Sequence, residues 1–367
     1  MKSIRYILCL LFFFVAATTY VYSQSWERFF DQGKVDYELG NYEKAIKNLE
    51  IYLNYETANP KAEAKHLLEQ AKKRLAEKAD TPTNAEQVAQ ADITQPTEKP
   101  SPKVTEQSTQ AEQPHEEYFI ETALGLNMKM IYVEGGTFMM GAPDDDMDAE
   151  YKEKPQHQVT LDSYYIAEFE VTQSQWTKIM GTTIHRQLKK KGADWEDRED
   201  YGKGDNIPIY SVNWFEANEF CHKLSNLTGK IYRLPTEAQW EFAARGGNKS
   251  KGYKFSGSNS IDAVAWHKGN SDNKIHPVGQ KLPNELGIYD MTGNIEEWCQ
   301  DWSYRRYTSE PQTNPQWAGQ ATGFKIHRGG NWEQDPNSNS DHKIYDRMSR
   351  APEYRGYYGF RVVCIPD

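Results

Sequence analysis

The run Gly287-Ile288-Tyr289-Asp290-Met291-Thr292-Gly293-Asn294-Ile295-Glu296-Glu297-Trp298 sets the terms for the domain around it. It places a Gly293-Asn294 turn, able to direct backbone carbonyls inward, between the carboxylates Asp290 and Glu297, and it closes on the bulky Trp298. The same mixture fills residues 118–367, which hold all of the ten Trp except Trp26 and all of the 25 Gly except Gly33 and Gly40. Frequent Gly beside frequent Trp means many tight turns wrapped around large aromatic anchors. The expected class is therefore α+β with modest regular secondary structure. A segment of this length can bury a sizeable core.

Local signals inside this domain are specific. Met130–Glu134, then Gly135-Gly136, then Thr137–Met139 reads as a hairpin with a Gly-Gly turn. Thr172 is an N-cap with Gln175 completing a capping box, and Val171 with Trp176 forms a hydrophobic staple. Asn213 with Glu216 repeats the pattern. Its helix lays Trp214, Ala217, Cys221 and Leu224 on one face and stops at Gly229. Thr236 with Gln239 starts a third helix, and Gly359–Cys364 reads as a final strand. Asp144-Asp145-Asp146 and Lys189-Lys190-Lys191 read as solvated charge runs.

Upstream lie three further zones. In residues 1–23, Lys2 and Arg5 precede the apolar run Tyr6–Ala17, and Val21 and Ser23 close a cleavage pattern. This reads as a secretory signal peptide, with an N-terminal anchor as the alternative. The run is shorter than the roughly 20 apolar residues of a span, so no transmembrane segment is expected after cleavage. Residues 24–78 read as helices, including Lys61–Lys78 with Ala64, Leu67, Leu68, Ala71 and Leu75 on one stripe. Their Gly40-Asn41-Tyr42-Glu43-Lys44-Ala45 run resembles the tetratricopeptide repeat. A lone repeat implies a protein partner, self-association or docking. A plain helical spacer is the alternative. Residues 79–117 carry Pro82, Pro96, Pro100, Pro102 and Pro114 and no aromatic residue, which is the composition of a disordered linker.

Composition excludes other classes. With 38% hydrophobic residues and four Cys, the chain is neither a polytopic membrane protein nor a disulfide scaffold. A net charge of −10 would repel phosphates, so no nucleic-acid partner is expected.

The domain resembles the formylglycine-generating enzyme, or sulfatase-modifying factor, family. The resemblance rests on Val133–Gly141, Glu170-Val171-Thr172, Arg233–Glu241, the opening Gly287–Trp298 run, Arg328-Gly329-Gly330-Asn331-Trp332 and Gly359–Val363, in family order. It implies a variant of the C-type lectin fold in residues 118–367, with bound calcium. It assigns one calcium site to the Asp290 side chain, the Gly293 and Ile295 carbonyls and the Glu297 side chain. Oxygen donors of that kind suit Ca²⁺, and a solvated acidic turn is the alternative. The resemblance also implies a Cys221–Cys364 disulfide, against two buried thiols. It sets Trp332, Arg347 and Arg350 along the family's active-site cleft, against arginines that merely pair with acidic side chains.

The family's enzymes oxidise a sulfatase cysteine to formylglycine with copper held by a cysteine pair shortly after the Gly-Gly motif. Soft thiolates are what hold Cu(I). Here no Cys occurs between Trp332 and Arg361, so copper is not expected. The resulting expectation is a secreted, non-catalytic, calcium-stabilised module. It would act in binding or assembly in the periplasm or at the surface of a bacterial envelope, with the N-terminal helices recruiting a protein partner. The competitors are a formylglycine-generating-type oxidase and a carbohydrate or peptide receptor.

Overall fold

The computed structural model describes residues 42–53, 61–79, 116–192, 201–316, 323–336 and 342–366. The chain divides into two units, Met1–Thr109 and Gln110–Asp367. In the first unit, α1 (Tyr42–Leu53) and α2 (Lys61–Ala79) pack as a pair. Leu49, Ala64 and Leu68 are buried between them, with Ile46, Leu53 and Leu67 around the edge. The stripe expected on residues 61–78 is thus the buried one. The expected signal peptide at 1–23, the helical pattern before Gly40 and all of the expected 79–117 linker except Ala79, Glu116 and Glu117 lie outside the described residues.

The second unit is mixed α and β. Its strands are β1 (Tyr118–Glu121), β2 (Met128–Val133), β3 (Gly136–Met140), β4 (His157–Leu161), β5 (Tyr164–Ala167), β6 (Ile231–Arg233), β7 (Glu296–Trp302), β8 (Gln312–Thr313), β9 (Lys325–Arg328), β10 (Arg347–Arg350), β11 (Tyr358–Gly359) and β12 (Val363–Ile365). They form sheets of five strands (β1-β2-β5-β12-β6), four strands (β10-β9-β7-β11) and three strands (β3-β4-β8). Side chains alternate across a strand, so the five-stranded sheet feeds two cores. Met128, Met130, Tyr232 and Cys364 join one core, and Ile131, Val133, Ile166 and Val363 join the other.

Four helices frame these cores: α3 (Gln173–Met180), α4 (Ile184–Lys191), α5 (Trp214–Thr228) and α6 (Glu237–Ala244). All three expected capping boxes are present, at Thr172/Gln175, Asn213/Glu216 and Thr236/Gln239. The staple pair Val171 and Trp176 is fully buried, and α5 ends at Gly229 in the left-handed region (φ 76°). Every residue of α6 is buried, which explains its weak amphipathic pattern: it passes through the interior.

Two strand expectations are corrected. β2 and β3 are not a hairpin, because β2 pairs with β1 and β5 while β3 pairs with β4. Tight hairpin turns need positive φ, and neither Gly135 nor Gly136 has it. The two glycines serve close packing instead. A Cβ on Gly135 would lie 2.6 Å from the Leu161 carbonyl oxygen. The final strand is likewise two strands in different sheets: β11 runs beside β7, and β12 inserts between β5 and β6. The charge runs are also engaged. Asp146 is held by Lys343 (3.2 Å) and the Tyr345 hydroxyl, and Lys190 pairs with Glu216 at 2.6 Å.

Candidate functional site

The opening motif folds as the sequence suggested and then does more. Asp290 (φ 56°), Gly293 (φ 79°) and Asn294 (φ 60°) all adopt left-handed conformations. Gly293 is obligatory, because a Cβ there would sit 2.4 Å from the Trp266 carbonyl oxygen. Backbone N–H groups of Gly293 and Asn294 donate to Gly329 (2.7 Å) and Trp266 (2.9 Å), which fixes the turn. The chain then enters β7, carrying Glu297 inward.

Glu297 meets Arg361 in a two-pronged pair, with Nε and Nη2 each 2.7 Å from a carboxylate oxygen. The indole Nε1 of Trp240, on α6, donates to the same carboxylate at 2.8 Å. Arg361 spends its remaining donors on the carbonyls of Ala167 (3.0 Å) and Tyr289 (2.9 Å). Arg361 lies in the break between β11 and β12 and is fully buried. Its guanidinium turns into the core between β11 and β12. Burial alone would lower its pKa, but Glu297 outweighs that and holds it raised.

Two more carboxylates share this interior. Glu170 is fully buried, and its Oε1 accepts from the Asn294 side-chain amide at 3.2 Å. Asp290 is 3% exposed, and its Oδ2 accepts from the Gly279 N–H at 2.7 Å. Glu170 Oε2 and Asp290 Oδ1 are buried without any hydrogen-bond partner. Burial drives the Glu170 carboxyl well above its ordinary range, and the charges of Asp290 and Glu297 add to that. Burial likewise pushes Asp290 up to about 6, against the opposing pull of the Gly279 N–H and Arg361. Asp290 and Glu297 are thus near enough for their charges to act on one another and on Glu170. That residue stood in the quoted Glu170-Val171-Thr172 motif without a role.

Of the three residues set along the family's cleft, Trp332 and Arg347 are buried and Arg350 is exposed. Trp332 is 2% exposed and packs on Tyr201 and Tyr357. Arg347 is 1% exposed and pairs with both oxygens of Glu237, each at 2.7 Å, between the rings of Tyr304 and Tyr307. Only Arg350 reaches solvent, resting against Tyr354 and Tyr358. Arg347 belongs to a second buried cluster. Arg328 contacts Glu237 (3.2 Å) and Glu241, and Arg245 holds Glu241 at 2.7 Å. A pocket of about 330 Å³ opens beside this cluster, lined by Met140, Glu237, Asp301, Tyr304, Gln312 and neighbours.

Beneath the Gly330-Asn331-Trp332 turn lies a pair that sequence reasoning passed over. Gln334 donates to Glu296 at 3.0 Å, and His327 Nδ1 stands 3.6 Å from the other oxygen of Glu296. Burial pushes Glu296 up to about 8 and His327 down to about 3, so a neutral acid faces a neutral imidazole at pH 7. The cross-strand register that joins Trp298 to His327 sets this meeting, and no local spacing announces it.

Cys221, Cys299 and Cys364 are all buried free thiols, so the expected Cys221–Cys364 bridge is not formed. Both of its members do join one core. Cys364 faces the Tyr232 hydroxyl across the β12–β6 pairing, and burial raises the Cys221 thiol beyond the usual range. Among the described residues no group of three or more His, Cys, Asp or Glu is placed to hold a metal ion. No helix there is long and apolar enough to cross a membrane.

This fold has solved counterparts. PvdO from Pseudomonas aeruginosa superposes with a TM-score of 0.58 at 27% identity, covering 70% of this chain and 100% of that one. Treponema denticola variable protein 1 gives 0.57 at 27% identity, covering 68% and 99%. Residues 117–365 match the sulfatase-modifying factor enzyme 1-like domain, and the chain belongs to that family. Relatives include the chaperone protein LppX of Paenibacillus barcinonensis, 32% identical over 57% of this chain and 80% of its own length. The serine/threonine-protein kinase Pkn1 of Chlamydia trachomatis serovar L2 is 30% identical, but the match spans only 39% of that protein. The formylglycine-generating enzyme of Thermomonospora curvata is 26% identical over 93% of its length.

Proposed function

We propose that the chain is a secreted, non-catalytic sulfatase-modifying-factor-like module that acts by binding, in cell-envelope assembly, with its tetratricopeptide-like helices recruiting a protein partner. One observation carries the reading: no cysteine stands between Trp332 and Arg361, where the family's oxidases keep their thiolate pair. The closure of Arg347 onto Glu237 supports it, since that guanidinium is not offered to a substrate. A relative named as a chaperone fits a binding role.

Calcium is proposed as a structural ion at the Asp290 turn. The unpartnered Asp290 Oδ1 fits it, and bound calcium would neutralise buried carboxylate charge. The Glu297 carboxylate fits less well, because Arg361 and Trp240 already engage it.

The rival reading, a formylglycine-generating-type oxidase, is favoured by the relatives that carry that name. Incubation with Cu(I), oxygen and a cysteine-containing sulfatase peptide decides between them. The expected result is no oxygen uptake and no aldehyde, and turnover would sink the non-catalytic reading. A pull-down with the full mature chain and with a chain lacking residues 24–78 tests recruitment. Equal retention of partners by both would reduce the helices to a spacer.

A further inference from the structure

The pocket of about 330 Å³ beside the balanced arginine–carboxylate cluster has no role in the reading above. Its deep side is set by the start of α6 and by β7. Glu237 and Asp301 are 1% and 4% exposed there, and Asp301 accepts the Glu237 N–H at 2.7 Å. Its mouth is formed by β8 and the residues after it, where Gln312 is half-buried and Thr313 and Gln316 are exposed. Small-molecule sites run from roughly 300 to 1,000 Å³, so this one suits a single small ring rather than a longer ligand.

The charges of the lining decide the class of ligand. No Lys, Arg or His lines the pocket, so nothing there would hold an anion. Nor is a cation called for. Glu237 meets Arg347 through both oxygens at 2.7 Å and Arg328 at 3.2 Å. Asp301 stands in the field of the buried Arg233 guanidinium. Each carboxylate is thus answered by a guanidinium outside the pocket. A carboxylate has about four acceptor positions, so the wall keeps acceptor capacity without net charge. At the mouth, the amides of Gln312 and Gln316 and the Thr313 hydroxyl both donate and accept. Met140, Pro315 and the Tyr304 ring supply apolar surface between these groups.

Such a wall matches a ligand whose own groups both donate and accept around a hydrocarbon ring. We propose that this pocket binds one neutral sugar ring, as the end residue of a glycan or as the free sugar. The proposal goes beyond the reading above and depends on neither calcium nor the N-terminal helices.

The test uses the full mature chain in EDTA. Glucose, galactose, mannose and N-acetylglucosamine are offered, each also as its methyl glycoside, with n-butylamine and acetate as charged probes. Binding is followed by saturation-transfer NMR and calorimetry. At least one sugar is expected to bind, and neither charged probe. Gln312→Ala with Gln316→Ala should weaken sugar binding by about tenfold through lost hydrogen bonds. Thr313→Trp, which sets an indole at the mouth, should abolish it. Thermal melting of each variant within a few degrees of wild type shows that the fold is kept. The glutamine variant decides the matter if Thr313→Trp does not fold. A methyl glycoside that binds as well as its free sugar marks a glycan end as the source, and binding of the free sugar alone marks the free form.

The proposal falls if no sugar binds, or if n-butylamine binds and the sugars do not. It falls equally if sugar binding appears only when calcium is restored. Binding that survives the glutamine substitutions within about threefold would place the sugar elsewhere on the chain and also overturn it.

Discussion

Two buried clusters flank helix α6 and resolve their charge in opposite ways. On one side, Glu237 and Glu241 are met by Arg347, Arg328 and Arg245, so every carboxylate has a guanidinium against it. On the other, Glu170, Asp290 and Glu297 share Arg361 alone, and two oxygens have no hydrogen-bond partner. The difference teaches how to read buried charge. A balanced cluster is complete as framework, and its arginines are withdrawn from any substrate. An unbalanced cluster keeps carboxyl groups that burial pushes towards their neutral acid forms. Conserving a motif's letters therefore does not settle what the motif does; counting the charges packed around it comes closer.

The contrast can be broken most sharply at its arginines. Arg361→Met leaves three buried carboxylates with no cation, and a loss of about 3–5 kcal/mol is expected, as when one partner of a buried pair is removed. Arg347→Met should cost less, because Arg328 still faces Glu237. Denaturant titration of both variants checks the order, and an equal loss would mean that the two clusters are not different in kind.

A smaller effect concerns the neutral pair beneath the Asn331-Trp332 turn. Neither ring nitrogen of His327 has a hydrogen-bond partner, and burial holds its pKa near 3. The sign follows from where protons bind. Below about pH 6.5 the unfolded chain takes up a proton on this residue that the folded chain refuses, so folding loses stability as pH falls from there towards 3. His327→Phe should therefore be near neutral at pH 8 and stabilising by about 1–2 kcal/mol at pH 5, measured by thermal melting at both values. A variant equally shifted at both would show that packing against Trp298 and Tyr358, and not titration, decides this site.

The smallest effect tests the element the two clusters share. Thr236 caps α6, which carries Glu237 and Glu241 to one side and Trp240 to the other. Thr236→Ala should cost about 1 kcal/mol. The change is expected to leave the pairing of both clusters intact, so its loss should add to that of Arg347→Met. A double-mutant cycle with marked non-additivity would show that the cap tunes the balanced cluster directly.

Much of this was legible in the residue order, and the division is physical. Caps are local, needing only a residue and its neighbour three places on, so Thr172, Asn213 and Thr236 were read with their partners. The frequency of glycine and tryptophan in residues 118–367 gave the α+β class. The Gly287–Trp298 run gave the positions of Asp290 and Glu297. Strand partners are not local. Gly135-Gly136 reads as a turn by composition, and only the backbone of Leu161–Ser163 pressed against it shows a crossing between sheets. Arg361 looks like one residue of a strand until Glu297 draws it inward. Glu170, Glu296 and His327 are brought to their neighbours by sheet registers and long loops, so nothing within a helical turn of them marks their roles.

The insertion of β12 between β5 and β6 has a consequence in time. The sheet begun at residue 118 gains the strand that links its two parts only when residues 363–365 are available, because β6 is joined to β5 through β12 alone. Arg361, which neutralises Glu297, is made just before that strand. Contacts so distant in sequence form late and slow folding. While the chain is still being synthesised, this domain holds its earlier strands without the piece that locks them. Its native state is thus reached only once residues 363–365 have been made.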